Sequence, residues 1–177
     1  MDKTAKIIFS VLCSALIVLF CYIVFHEAGH CLIAALCGAN ITEFSISGAH
    51  MSYVGGEFNA VTASVFNAAG MLLPVAISFL FMIFYRKNFN NVFYRIFSFT
   101  FSLIPLFSLI AWIFVPILSL SGKAPKDDDV TKFIISSGLN PWIVCGGAAV
   151  LLAAGAFLAW KKKVIQNYWY TCRGKAQ

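Results

Sequence analysis

Two histidines and a glutamate stand close together in the stretch His26-Glu27-Ala28-Gly29-His30. On a helix the two histidines share one face because they are about one turn apart, and Glu27 stands about 100° round from His26. Paired imidazoles on one face with an adjacent carboxylate are the signature of zinc hydrolases. We therefore predict that His26 and His30 bind Zn²⁺ and that Glu27 acts as the general base.

The motif lies within a long apolar stretch, where charged and polar groups are costly and usually functional. The chain has 177 residues, of which 60% are hydrophobic and 11% are charged, and its mean hydropathy is +0.85. This composition is too apolar for a soluble domain of this length and predicts an integral membrane protein with a single membrane-embedded domain, 1–177. The net charge is +6, and the Lys and Arg residues lie at the ends of apolar runs rather than on one face. This distribution indicates that the charge orients the protein in a membrane and does not bind nucleic acid.

The apolar segments predict an all-α membrane protein with about four transmembrane helices and a small β-hairpin between the first and the second. Alternating apolar and polar residues at 41–54 indicate the hairpin, with Gly48 at its turn. A polar loop at 121–140 contains a short helix from about Val130 to Ser137. The predicted membrane helices are 7–38, 61–85, 96–120 and 142–160.

Charge distribution predicts the orientation of the chain. The N-terminus, the second loop and the tail carry ten of the thirteen Lys and Arg residues, so we expect both termini on the cytoplasmic side of the membrane. Independently of the charge count, we expect this membrane to be a bacterial cell membrane. The His pair then approaches the outer side, as do the three Asp residues at 127–129. One of these can supply a third, oxygen ligand, with Glu43 and Glu57 as competing carboxylates, although the Asp residues also suit capping of the short helix.

Two further polar residues stand out. Asn67, in the second apolar segment, either hydrogen-bonds a neighbouring helix or faces the site and binds the substrate backbone. His50, in the hairpin, is expected to be a surface residue rather than a ligand. The hairpin itself is either a connector at the membrane surface or a strand edge that holds an extended substrate.

Taken together, these motifs resemble the site-2-protease-like intramembrane zinc metallopeptidases, in particular their compact branch, over most of the chain. The matching features are the His-Glu-x-x-His motif, the polar hairpin with its following Gly pair, the segment from Asn67 through Gly70 to Pro74, and the segment from Asp129 to Phe133. Better-known members carry an Asp-Gly pair on a later membrane helix, and no Asp-Gly pair occurs here. They also place the site toward the cytosolic face, whereas the charge distribution here places it toward the outer side.

The resemblance implies Asp129 as the third zinc ligand, followed four residues later by Phe133, with Asp128 as the runner-up. It also implies hydrolysis of a peptide bond in or near a membrane-spanning segment of a protein or peptide substrate. The other expected partner is the lipid bilayer, and no nucleic acid is expected to bind. One alternative is a non-proteolytic zinc-binding membrane protein, such as a chaperone, an immunity factor or a transport accessory, which would not need Glu27. A metal transporter is disfavoured because the chain contains no internal repeat.

Overall fold

A computed structural model of the chain describes residues 2–173. It contains six helices and one two-stranded antiparallel sheet within these residues. In chain order the elements are α1 (Lys3–Leu36), β1 (Ala39–Ser45), β2 (His50–Gly55), α2 (Ala60–Ile83), α3 (Val92–Leu120), α4 (Asp129–Ser137), α5 (Pro141–Lys161) and α6 (Val164–Arg173).

Helices α1, α2, α3 and α5 are each long and apolar enough to cross a membrane. Their outward faces are apolar as well: Leu16 on α1 is 70% exposed, and Phe114 on α3 and Val150 on α5 are also strongly exposed. A helix that is apolar on every side requires lipid or protein around it. The protein is therefore a membrane protein, and the predicted class of four membrane helices with a hairpin between the first and the second is confirmed.

Side-chain caps set where the helices begin. The Asp2 carboxylate accepts a hydrogen bond from the Ala5 backbone N–H at 2.7 Å, so α1 begins before the apolar run itself. The Asn91 side chain likewise accepts from the Tyr94 N–H at 3.0 Å, so α3 begins at Val92 rather than near 96. In both cases a polar residue outside the apolar run adds a turn of helix that hydropathy alone does not indicate.

Helix α3 contacts each of the other three spanning helices. Its buried residues Leu106, Leu109 and Trp112 belong to the main apolar core. Gly155 of α5 lies against Leu106, where an added Cβ would stand 2.6 Å from the leucine side chain. This close approach packs α5 tightly onto α3.

The hairpin closes over the C-terminal end of α1. Strands β1 and β2 pair from Ala39 opposite Gly55 to Ser45 opposite His50, with an irregularity between Ile41 and Glu43. The connection after β2 is attached to α1 by the Glu57 N–H, which donates to the Cys37 carbonyl at 2.9 Å. The hairpin and α4 line one cavity, so both of these polar connections lie at the same end of the bundle.

Helix α6 was not expected from the sequence. It buries Val164, Asn167 and Thr171 on one face. The Asn167 side-chain amide donates to the Tyr85 hydroxyl at 2.9 Å and to the Lys87 carbonyl at 2.8 Å. These bonds attach α6 to the α2–α3 connection, at the end of the bundle away from the hairpin.

Candidate metal centre

Three ligand-type atoms meet at one point between α1 and α4. His26 Nε2 lies 3.3 Å from His30 Nε2, and Asp129 Oδ2 lies 3.3 Å from His26 Nε2 and 3.2 Å from His30 Nε2. A tetrahedral ion with bonds of about 2.0–2.1 Å has its ligand atoms about 3.3–3.4 Å apart. The nearly equilateral triangle therefore has the size that one such ion requires, and the group can bind a metal ion.

The environment of His30 determines which of its nitrogens faces the triangle. Its Nδ1 lies 2.8 Å from the Phe66 carbonyl of α2, which can only accept, so Nδ1 carries the proton and donates. In the neutral ring Nε2 is then an acceptor, and it faces the Asp129 oxygen, which is another acceptor. A cation must lie between these atoms, either a proton on Nε2 or a metal ion, and a metal ion satisfies all three ligands at once.

Glycines allow α2 to approach the ligands closely. A Cβ at Gly70 would stand 2.3 Å from His30 Nε2 and 2.8 Å from His26 Nε2, and a Cβ at Gly29 would stand 2.3 Å from the Ala69 carbonyl oxygen. No real Cβ tolerates such distances. Glycine at position 70 therefore leaves space for the two imidazoles, and glycine at position 29 lets α1 and the backbone of α2 approach each other closely.

Asp129 reaches the triangle because an N-cap fixes the start of α4 and apolar contacts hold this helix in place. The Asp128 carboxylate accepts from the Val130 N–H at 2.9 Å and so serves as the N-cap. Val130 is buried, and the Phe133 ring contacts Trp112 of α3 edge-on with centroids 5.2 Å apart. The structure thus brings Asp129 to the His pair and assigns Asp128, the runner-up, to the cap.

Asp129 is held in its charged form. Burial by itself would raise the pKa of the Asp129 carboxyl, but when the imidazoles carry a proton on Nε2, the hydrogen bonds and charge of His26 and His30 outweigh burial and hold the pKa well below its usual range. The competing carboxylates lie elsewhere: Glu43 pairs with His50 at 3.2 Å on the exposed hairpin, and Glu57 is absent from the ligand group among the described residues. Asp129 is therefore a carboxylate ready to bind a cation.

The triangle opens into a cavity of about 850 Å³ between the hairpin, α1, α2 and α4. Glu27 lies in its wall and is only 5% exposed. A smaller recess of about 160 Å³, lined by Tyr22, His26 and Glu27, adjoins it. The cavity thus places a buried carboxylate beside two histidines and an aspartate, with space for a substrate in front of them.

Asn67 both hydrogen-bonds a neighbouring helix and faces the cavity, and its binding of a substrate backbone stays a prediction. It is buried and lines the cavity, and its amide donates to the Ser136 hydroxyl of α4 at 3.3 Å. It therefore ties α2 to the helix that carries Asp129. His50 also lines the cavity, but from the hairpin and outside the ligand group.

Sequence reasoning missed three contributors to the site. The Phe66 carbonyl is backbone and leaves no signal in a residue type. Ser136 looked like an ordinary helix residue, and its link to Asn67 crosses 69 positions. Gly70 was noted only as part of a motif, whereas the structure shows that it leaves room for the ligands.

No family model matches the chain, and no curated protein or solved structure matches it either. Two imidazole nitrogens and one carboxylate oxygen, open on one side to a cavity, can bind a metal ion and leave a fourth position for another ligand. With a buried carboxylate in the same wall, this arrangement suits metal-assisted hydrolysis.

Proposed function

We propose that this protein is an intramembrane zinc metalloprotease that hydrolyses a peptide bond in or near a membrane-spanning segment of a protein or peptide substrate. The observation that carries the proposal is the 3.2–3.3 Å triangle of His26, His30 and Asp129, which opens into a cavity that also contains Glu27. The triangle lies in a chain with four helices able to cross a membrane. The resemblance of His26-Glu27-Ala28-Gly29-His30 to the motif of site-2-protease-like enzymes, which implies these roles for His26, Glu27 and His30, also supports the proposal.

Zinc suits this ligand set because it accepts nitrogen and oxygen ligands at tetrahedral spacing without any redox change. When bound, it supplies Lewis-acid polarisation of the scissile carbonyl and lowers the pKa of water. His30 is oriented for this role by its hydrogen bond to the Phe66 carbonyl. Asp129 adds a negative charge that two neutral imidazoles lack.

Glu27 is the residue that moves protons. We assign Glu27 two roles. It acts as the general base that takes a proton from the attacking water, and then as the general acid that returns this proton to the leaving amine. Its burial beside His26 and His30 keeps it close to the reacting atoms and away from bulk water. A glutamine at this position has nearly the same shape and cannot accept a proton.

The substrate must present an unwound segment to the cavity. A membrane helix hides its carbonyls in its own hydrogen bonds, so a scissile bond becomes accessible only where the helix opens. We assign backbone binding to Asn67 and to the exposed edge of the hairpin, which both border the cavity. Most of the basic residues, among them Lys3, Arg86 and Lys161, lie at the opposite end of the bundle, so the proposed orientation has the cavity at the outer side of a bacterial membrane and both termini in the cytoplasm.

The experiment that tests the function compares the membrane peptides that accumulate with wild-type protein and with Glu27→Gln. We expect uncut substrate to accumulate with the variant, turnover to fall by about 10²–10⁴-fold, and bound zinc per protein to stay unchanged. Glu57→Gln is the matched control because it makes the same chemical change outside the ligand group. Identical peptide profiles for wild type and Glu27→Gln would instead favour a non-proteolytic zinc-binding membrane protein.

A further inference from the structure

The cavity has an aromatic side. Tyr53 of β2, Phe58 of the β2–α2 connection and Phe66 of α2 each contact the other two, with ring centroids 5.4–5.6 Å apart. All three line the cavity of about 850 Å³. We call these three residues the aromatic wall.

The aromatic wall begins at the metal ligands. The Phe66 ring lies 4.9 Å from the His30 ring, and the Tyr53 ring lies 5.4 Å beyond it. Neighbouring residues of a peptide are about 3.8 Å apart at their Cα atoms. A peptide whose carbonyl is at the ligand triangle therefore brings the side chain of an adjacent residue onto this wall.

The wall is open to the cavity and is not sealed by the protein itself. Tyr53 is 37% exposed, and Phe58 and Phe66 are half-buried. The rest of the lining includes the charged residues Asp127 and Lys132, and its other apolar members are the smaller or unbranched Ala49, Met51 and Ala63. One side of the cavity thus presents exposed aromatic rings, and another part of its lining presents charged side chains.

We propose that the aromatic wall makes the site selective for substrates with a large apolar side chain, aromatic or leucine-like, at a residue adjacent to the scissile bond. The inference rests on the proposed function, because that function places the scissile carbonyl at the ligand triangle. Two of the three ring pairs meet edge-on and the third is tilted. The rings together present apolar surface to the cavity, and such surface favours ligands by the apolar area that it covers. A small or charged side chain gains nothing on this wall.

The test uses three chelating probes on the zinc-loaded full-length protein in detergent micelles, with affinity measured by calorimetry. Acetohydroxamate reports the metal centre alone, and two otherwise identical peptide hydroxamates carry an alanine or a phenylalanine side chain next to the chelating group. We expect wild-type protein to bind the phenylalanine probe about tenfold or more tightly than the alanine probe. Tyr53→Ala and Phe58→Ala should each lower this preference at least about threefold while leaving acetohydroxamate affinity unchanged, and Phe114→Ala, on the exposed face of α3, should change nothing.

Equal affinity of the two peptide probes for wild-type protein would overturn the proposal without any variant. A preference that persists in both Tyr53→Ala and Phe58→Ala would also overturn the proposal, because the rings would then not set the selectivity. A loss of acetohydroxamate binding in these variants would overturn it as well, because the rings would then be structural. Failure of the proposed function looks different. In that case the phenylalanine preference is intact in the binding assay, while Glu27→Gln leaves the membrane peptides unchanged.

Discussion

His30 Nε2 and Asp129 Oδ2 lie 3.2 Å apart although ninety-nine positions separate the two residues in the chain. His30 belongs to a membrane helix, and Asp129 is the first residue of a short helix at the end of the bundle. The contact exists because α4 packs on α2 and α3. The ligand set is therefore completed by tertiary packing, and the predictions below test its parts one at a time.

The first prediction concerns the third ligand. We expect Asp129→Asn to weaken zinc binding by at least about 10–100-fold, since that is the cost of losing even an outer-shell partner. Asp128→Asn should keep its zinc because asparagine also caps helices, and Asp127→Asn should do the same. Metal content after dialysis, measured by mass spectrometry, distinguishes the three, and full zinc in Asp129→Asn would remove this residue from the site.

The second prediction concerns the space at Gly70. A methyl group there would stand 2.3 Å from His30 Nε2, so Gly70→Ala should displace the imidazoles and lower bound zinc below half of the wild-type amount. Gly147→Ala is the matched control because nothing lies within 4 Å of its added Cβ, and helical alanine stabilises by about 0.5–1 kcal/mol relative to glycine. Equal zinc content in the two variants would show that α2 does not constrain the metal centre.

The third prediction separates the histidines. His26→Ala should abolish stoichiometric zinc, because it removes one of the three ligands. His50→Ala should retain zinc and change stability by no more than about 1 kcal/mol, because its ion pair with Glu43 is largely exposed. Zinc titration with a competing fluorescent chelator measures both, and a zinc loss in His50→Ala would make the hairpin part of the metal centre.

The fourth prediction separates the two roles of Asn67. If Asn67 binds the substrate backbone, Asn67→Ala should raise KM about 5–10-fold and leave zinc content unchanged. Ser136→Ala removes the partner of Asn67 on α4 and should change KM by less than about twofold. Steady-state cleavage of a membrane peptide measures both variants. The same rise in KM for Ser136→Ala would mean that Asn67 acts by holding α4 in place.

Local patterns in the sequence were sufficient to predict most of the secondary structure. Apolar length gives the four spanning helices, and alternation gives the hairpin. The short helix was predicted at 130–137 and is observed at Asp129–Ser137, with Asp128 and Gly138 as its caps. Each of these features depends on residues within a few positions of one another.

The remaining features depend on tertiary contacts. Helix α6 was missed because the three lysines at 161–163 marked the end of an apolar run, and the residues after them are of mixed polarity. Its buried residues, Val164, Asn167 and Thr171, recur at helical spacing, and that spacing is the signal that could have revealed it. No such signal exists for the Asn67–Ser136 contact, which only the packing of α4 on α2 creates.

The proton on His30 is positioned by main-chain chemistry. Its acceptor is the carbonyl of Phe66, and every amino acid supplies the same oxygen at that position. Substitutions at position 66 can therefore accumulate without changing the tautomer of His30, provided that they pack in α2. The hydrogen bond that orients His30 therefore does not depend on the side chain at position 66, whereas the lining of the cavity does.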